Sequence, residues 1–185
     1  ICYIMHSPYP VQSINTPEKG ARISFSDTLE FVDDALKMTP MVFCFLDKSV
    51  VLSFDKTNEW NAQCGHRNDG ESVEACLKRE AFEEAGVAID IIAEFGRMKY
   101  KTAYNTKKQY PEVTYIPVFV AKVNSIEKLP VGSEVQKVTV ADHEEAVELL
   151  GIRDDNKLLL SIYEACREFY FVKMTQAGAT THESI

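Results

Sequence analysis

Long apolar runs are missing from this sequence. The longest near the start of its core, Met41 to Leu46, covers six residues, whereas a membrane-spanning helix needs about 20. Residues 1–10 hold no basic stretch followed by a long apolar one. No secretory signal is therefore visible, although the chain opens on Ile rather than Met, and the expected location is the cytoplasm. Paired cysteines are missing too. Cys2, Cys44, Cys64, Cys76 and Cys166 are odd in number and scattered, with no Cys-x-x-Cys spacing. This excludes a disulfide framework or cysteine zinc site and suits reduced cytosolic thiols. Basic charge is scarce, with Lys and Arg totalling 20 against 28 Asp and Glu, a net charge of −8. Duplex nucleic acid is excluded as the main partner, since such binding rests on basic neutralisation of phosphates. A polyanionic ligand must be received locally, by a few cations or a bound metal. Internal repeats and low-complexity tracts are also absent.

The chain does have the composition of an ordinary globular protein: 185 residues, 45% hydrophobic and 26% charged. This length supports one core of about 130 to 150 residues with extensions. Residues 1–39 are expected to form an N-terminal extension. Its first 22 residues, rich in Pro, Ser and Asn, read as an irregular lead-in. Asp27, with Glu30 three residues on and Leu29, Phe31, Val32, Ala35 and Leu36 following, predicts a short capped helix. Residues 40–174 hold the main domain and 175–185 a disordered tail. Met41 to Leu46 and Val50 to Phe54 flank Asp47-Lys48-Ser49 as a hairpin. A turn-rich stretch then leads to a helix that Ser72 caps and Gly86 stops. Strands are expected at Ile89 to Phe95 and Val113 to Val123, and helices at His143 to Leu150 and Asp155 to Val172. The whole reads as mixed α/β in one domain.

The segment from Gly65 to Val87 carries the chemistry. At about 100° per residue, Glu80, Glu83 and Glu84 fall within an arc of roughly 100° on one helix face. Such like-charged neighbours repel by about 0.2 to 0.5 kcal/mol a pair, and no cation stands three or four residues from Glu84. The opposite face, with Glu74 and Lys78 four residues apart, reads as ordinary solvated surface. The Glu80 stripe instead continues the apolar surface of Val73, Cys76 and Leu77. Carboxylates on such an edge call for a hard divalent cation, magnesium or manganese rather than zinc.

Gly65, Glu71, Arg79, Glu80, Glu83, Glu84 and Gly86 fill seven fixed positions of a spaced pattern whose chance occurrence at a given start is roughly one in 10⁸ to 10⁹. In this the chain resembles the Nudix family over about residues 40–172, with Trp60 five residues before Gly65 where an aromatic is common. Cys64 in place of a second glycine, Asn68 in place of an acidic residue and Ala81 in place of a larger aliphatic depart from the frequent pattern without touching the fixed positions.

The resemblance implies a Nudix-like α/β/α sandwich with a curved mixed sheet, and a magnesium-dependent pyrophosphohydrolase (manganese substituting) acting on a nucleoside diphosphate linked to another moiety. It implies that Glu80 and Glu84 are the main metal ligands, joined by Glu83 and the Gly65 carbonyl. Arg79 would orient a carboxylate, and Glu71 would tie the loop to the helix or join a second metal. A general base sits in the box, at Glu83, or on a later loop, where Glu134 is the first candidate and Glu112 the second. The Lys- and Tyr-rich stretch, with Lys99, Lys101 and Tyr104, and the loop residue His66 are candidates for substrate phosphates or a stacked base, against the plainer reading of a solvated hairpin. The other readings are a nucleotide sensor, which would be expected to have lost box glutamates, and a prenyl diphosphate isomerase, for which only Cys64 lies near the site. A homodimer is expected by analogy alone.

Overall fold

The computed structural model describes residues 9–16, 19–102, 111–152 and 157–180. Strands β1 (Gln12–Thr16), β2 (Lys19–Ser26), β3 (Met41–Leu46), β4 (Ser49–Phe54), β5 (Trp60–Asn61) and β6 (Gln63–Cys64) precede helix α1 (Val73–Ala85). Strands β7 (Val87–Thr102), β8 (Val113–Ile126) and β9 (Lys137–Ala141) follow, then α2 (His143–Gly151) and α3 (Lys157–Thr180). The strands form one mixed sheet in the order β1-β2-β7-β8-β3-β4-β5, with β6 paired to β3 and β9 to β4. Only the β3–β8 pair is parallel among these; it is the centre of the sheet, and β3 is buried on both faces from Met41 to Phe45. Such strands read as continuous apolar runs rather than alternation.

Each face carries its own core. On one, Leu77, Ala81 and Ala85 of α1 pack on Val42, Cys44, Val51, Ile89, Ala121 and Val123. On the other, α2 and α3 cover Phe43, Phe45, Leu52 and Val120 with Leu150, Ile162, Tyr163 and Cys166. The result is a three-layer α/β/α sandwich with a mixed, bulged sheet, register shifts in β7–β8 marking its irregularities.

Three expectations are corrected. The lead-in is not irregular throughout, because Gln12–Thr16 and Lys19–Ser26 form a hairpin whose Ala21, Ile23 and Phe25 are buried. Residues 27–38 form no helix beyond a 3-10 turn at Asp34–Leu36, capped by Asp33 rather than Asp27. Leu29 and Phe31 stay 48% and 98% exposed, and so short a helix without a buried face is unstable. Finally, α3 runs on to Thr180, into the stretch expected to be a tail. Among the described residues no helix is long and apolar enough to cross a membrane.

Candidate active site

Helix α1 is built as its sequence demands. The Ser72 side chain accepts from the Ala75 amide, and Gly86 closes the last turn at φ 65°. A Cβ at Gly86 would also lie 2.6 Å from the Glu127 carbonyl oxygen. Glu74 and Lys78 pair at 2.7 Å on the solvent side. Across the helix, Cys76, Leu77 and Ala81 are fully buried, and Glu80 is 9% exposed at the edge of the same face.

Arg79 organises the carboxylates. Its Nε and Nη2 donate to the two oxygens of Glu71, each at 2.9 Å. Its Nη1 donates to Glu80 at 2.6 Å and Glu83 at 3.0 Å, and Nη2 also reaches the His66 carbonyl at 3.0 Å. A bidentate fork of this kind fixes geometry as well as charge. Glu71 in turn accepts from the Asn68 amide at 2.9 Å, tying the loop to the helix. Its carboxyl is pulled down to about 2, chiefly by the bonds from Arg79.

Glu84 has no such arginine. One oxygen accepts from the Cys64 amide at 2.9 Å, and burial pushes its carboxyl up to about 7, with Glu80, Asp55 and Glu83 adding repulsion. Burial raises Glu80 as well, against the pull of Arg79. Gly65 lies directly on Glu80, since a Cβ there would fall 1.9 Å from a Glu80 carboxylate oxygen. Its carbonyl accepts from the Cys76 thiol at 3.5 Å.

Facing these carboxylates is the loop of residues 130–135. With Glu80, Glu83 and Glu84 it lines a cleft of about 330 Å³. The Ser133 hydroxyl donates to the Glu83 carbonyl at 2.9 Å, anchoring the loop to the end of α1. Glu134 stands at the cleft and pairs with Lys56 at 2.5 Å. Lys56 comes from a turn that Asp55 braces by accepting from the Thr57 amide at 2.8 Å and the Thr57 hydroxyl at 2.6 Å.

The sequence candidates therefore fall into two groups. Glu80, Glu83, Glu84 and Glu134 line one cleft; Arg79 links Glu80 and Glu83 to Glu71 and to the His66 carbonyl, and Gly65 lies against Glu80. Lys99 and Lys101 lie on β7, Lys101 near Glu112 at 3.8 Å. Tyr104 falls outside the described residues. Lys56 and Ser133 escaped the sequence reading, since nothing local marks a turn lysine or loop serine as facing a distant helix.

A cation is tested by the donor set. Three carboxylates and a backbone carbonyl are hard oxygen donors of the kind magnesium and manganese take. The two buried ones, Glu80 and Glu84, are raised by desolvation, a cost that a cation would remove. Among the described residues no three His, Cys, Asp or Glu side chains are gathered to hold a metal ion; Glu80 and Glu83 are turned to Arg79 and Glu84 to the Cys64 amide. The donors fit; their present arrangement is held by Arg79.

Comparison with known proteins agrees with this picture. The model of the NUDIX domain matches residues 39–161. No curated protein sequence gives a match. Among solved structures, the fold is similar to that of the Bacillus subtilis pyrophosphohydrolase BsRppH, with a TM-score of 0.61 at 16% identity over 85% of this chain and 92% of that one. A NUDIX hydrolase from Nitrosomonas europaea gives 0.54 at 18% identity over 73% and 88%. A NUDIX-family hydrolase from Clostridium perfringens gives 0.53 at 18% over 72% and 98%. With the family match spanning most of the chain and every fixed position of the motif present, this protein belongs to the Nudix family of hydrolases acting on pyrophosphate bonds.

Proposed function

We propose that the protein is a magnesium-dependent pyrophosphohydrolase, manganese substituting, which cleaves the phosphoanhydride bond of a nucleoside diphosphate linked to another moiety. Nucleoside triphosphates, nucleotide sugars and dinucleoside polyphosphates are the candidate substrates. The observation that carries this reading is the Glu80, Glu83 and Glu84 stripe facing Glu134 across one cleft.

Glu80, Glu83, Glu84 and the Gly65 carbonyl would hold the cation, with Glu71 as a further donor. Bound there, the cation would neutralise nonbridging phosphate oxygens and align water. The chain's own residues do the rest. Arg79 keeps Glu71 and the α1 carboxylates in one array. Glu134 is the general base, held at the cleft by Lys56 and placed by the Ser133 anchor. A base must stand within reach of the water it deprotonates, and Glu134 faces the α1 carboxylates from the opposite wall of the cleft, whereas Glu83 stands among the groups that would hold the cation. Lys101 and Glu112 lie beyond the cleft lining; Glu112 is not favoured as base.

The Cys64 thiol is pushed up to about 12, first by burial and then by Glu84 and Glu80, which argues against isomerase chemistry needing an ionised cysteine. The substrate is a small nucleotide-type molecule rather than duplex nucleic acid, in keeping with the net charge of −8. A cytoplasmic location and a homodimer accompany this proposal.

The test is a panel of nucleoside triphosphates, ADP-ribose, nucleotide sugars and diadenosine polyphosphates with magnesium, with products separated by chromatography. Wild type is expected to turn over at least one compound, and Glu84→Gln to lose at least about 100-fold, as removal of a key electrostatic group does. Absence of all turnover beside tight nucleotide binding that Glu84→Gln leaves intact would replace the hydrolase by a sensor.

A further inference from the structure

We propose that Ser53 and Gln63, neither of which lines the cleft, are positioning residues, a buried hydrogen-bond relay that presets Glu84 for the cation. This role rests on the hydrolase reading in one respect, that Glu84 is taken as a cation ligand.

Strand β4 reads Ser-Val-Val-Leu-Ser-Phe, and Val50, Val51 and Leu52 are fully buried. Another apolar side chain would continue the run. Ser53 stands there instead, 3% exposed, and Gln63 of β6 is fully buried beside it. Parity puts both on the α1 side of the sheet. Ser53 shares the parity of Val51, Gln63 is paired with Val42, and Val42 and Val51 pack in the α1 core. A polar side chain in a core costs stability unless its groups are bonded. Here one group is not, since Gln63 Oε1 is buried without a hydrogen-bond partner among the described residues. A leucine would fill much the same space at no such cost, so packing alone does not account for the amide.

Its bonds do. Gln63 Nε2 donates to the Val51 carbonyl at 3.2 Å and to Ser53 Oγ at 2.8 Å. A carbonyl only accepts, so the nitrogen and not the oxygen must face Val51, which fixes the orientation of the amide. With an N–H arriving on its oxygen, the Ser53 hydroxyl directs its own proton onward and donates to the Glu84 carbonyl at 3.2 Å. That carbonyl needs an outside donor, because it lies in the last turn of α1, where no helical amide follows to bond it.

The residue next to Gln63 takes the other end of Glu84. The Cys64 amide donates to a Glu84 carboxylate oxygen at 2.9 Å. Strand β6 therefore holds Glu84 twice, at its side chain from Cys64 and at its main chain from Gln63 through Ser53. Glu80 and Glu83 are aimed by Arg79; Glu84 is aimed by the sheet. A ligand fixed at both ends meets the cation in one pose, and less order has to be imposed on binding.

Cation binding is measured without substrate or turnover, by adding manganese to the protein and following the free ion by electron paramagnetic resonance. Ser53→Ala and Gln63→Leu should each weaken manganese binding about 10-fold, the low end for groups that orient metal ligands. Because the two act in series, the double variant should lose no more than the worse single one. Ser72→Ala separates positioning from stability. It loosens α1 at the opposite end, and should lower the melting temperature while leaving manganese affinity at the wild-type value. Wild-type affinity in Ser53→Ala and Gln63→Leu, or equal weakening in Ser72→Ala, would overturn the relay. If Ser53→Ala fails to fold, Gln63→Leu, an apolar replacement of similar size, decides alone. Binding by Glu84→Gln as tight as by wild type would sink the cation reading itself, and the relay would fall with it.

Discussion

Two stretches of this chain carry the same start signal and end differently. Ser72 and Asp27 each stand ahead of spaced apolar residues, yet Val73–Ala85 is a helix and residues 27–38 are a strap with one 3-10 turn. The first buries Cys76, Leu77 and Ala81 completely; the second leaves Leu29 and Phe31 in solvent. A cap stabilises a helix by about 1 kcal/mol, whereas burying one large aliphatic side chain contributes about 1.5 to 3 kcal/mol. Burial decides, and the cap only marks the boundary. The strap is held instead by side chains reaching in from elsewhere, Arg67 to Asp34 and Arg97 to the Glu30 carbonyl.

Leu77→Ala should cost about 2 to 5 kcal/mol, the range for a large-to-small change in a core; chemical denaturation would measure it. A pH series gives the next effect. Glu84 is raised in the folded state to about 7 from an ordinary 4.5, so the metal-free folded protein holds this proton more tightly than the unfolded chain. Its stability should therefore fall as pH rises from about 4.5 through 7. Glu71, lowered to about 2, acts oppositely and in another window, adding stability above 4.5 that is lost towards 2. Melting in EDTA at pH 5.5 and 8 should show the Glu84 loss in wild type and not in Glu84→Gln, and magnesium should restore most at pH 8. Ser72→Ala should cost about 1 kcal/mol. Leu29→Ala, on the strap, should change stability by no more than about 0.5 kcal/mol. A larger loss would mean that the strap folds as part of the core after all.

What could be read beforehand follows the same division. The α1 helix, its caps, its acidic stripe and the β3–β4 hairpin were legible because their signals are local: periodicity, Ser72, Gly86 and the turn at Asp47. The β2 strand carried a usable alternation, Ala21, Ile23 and Phe25 inward, but flanking turn-forming residues hid it, and its partner β7 is far along the chain, as in Ala21 opposite Thr102. Within the site, the motif residues could be named from spacing. The pairing of Glu134 with Lys56 and the anchor from Ser133 to Glu83 span 78 and 50 residues, and no local pattern encodes such distances.

The contact of Gly65 with Glu80 has a bearing on mutational tolerance. Every residue other than glycine carries the carbon that would fall 1.9 Å from that carboxylate oxygen. Alanine therefore offends as surely as tryptophan, and the response to substitution is a step rather than a slope. The obstacle is the tip of a flexible side chain, so the chain can still fold with the carboxylate displaced. A saturation scan at this position should thus read two ways: level when scored by cellular abundance, and all-or-none when scored by turnover.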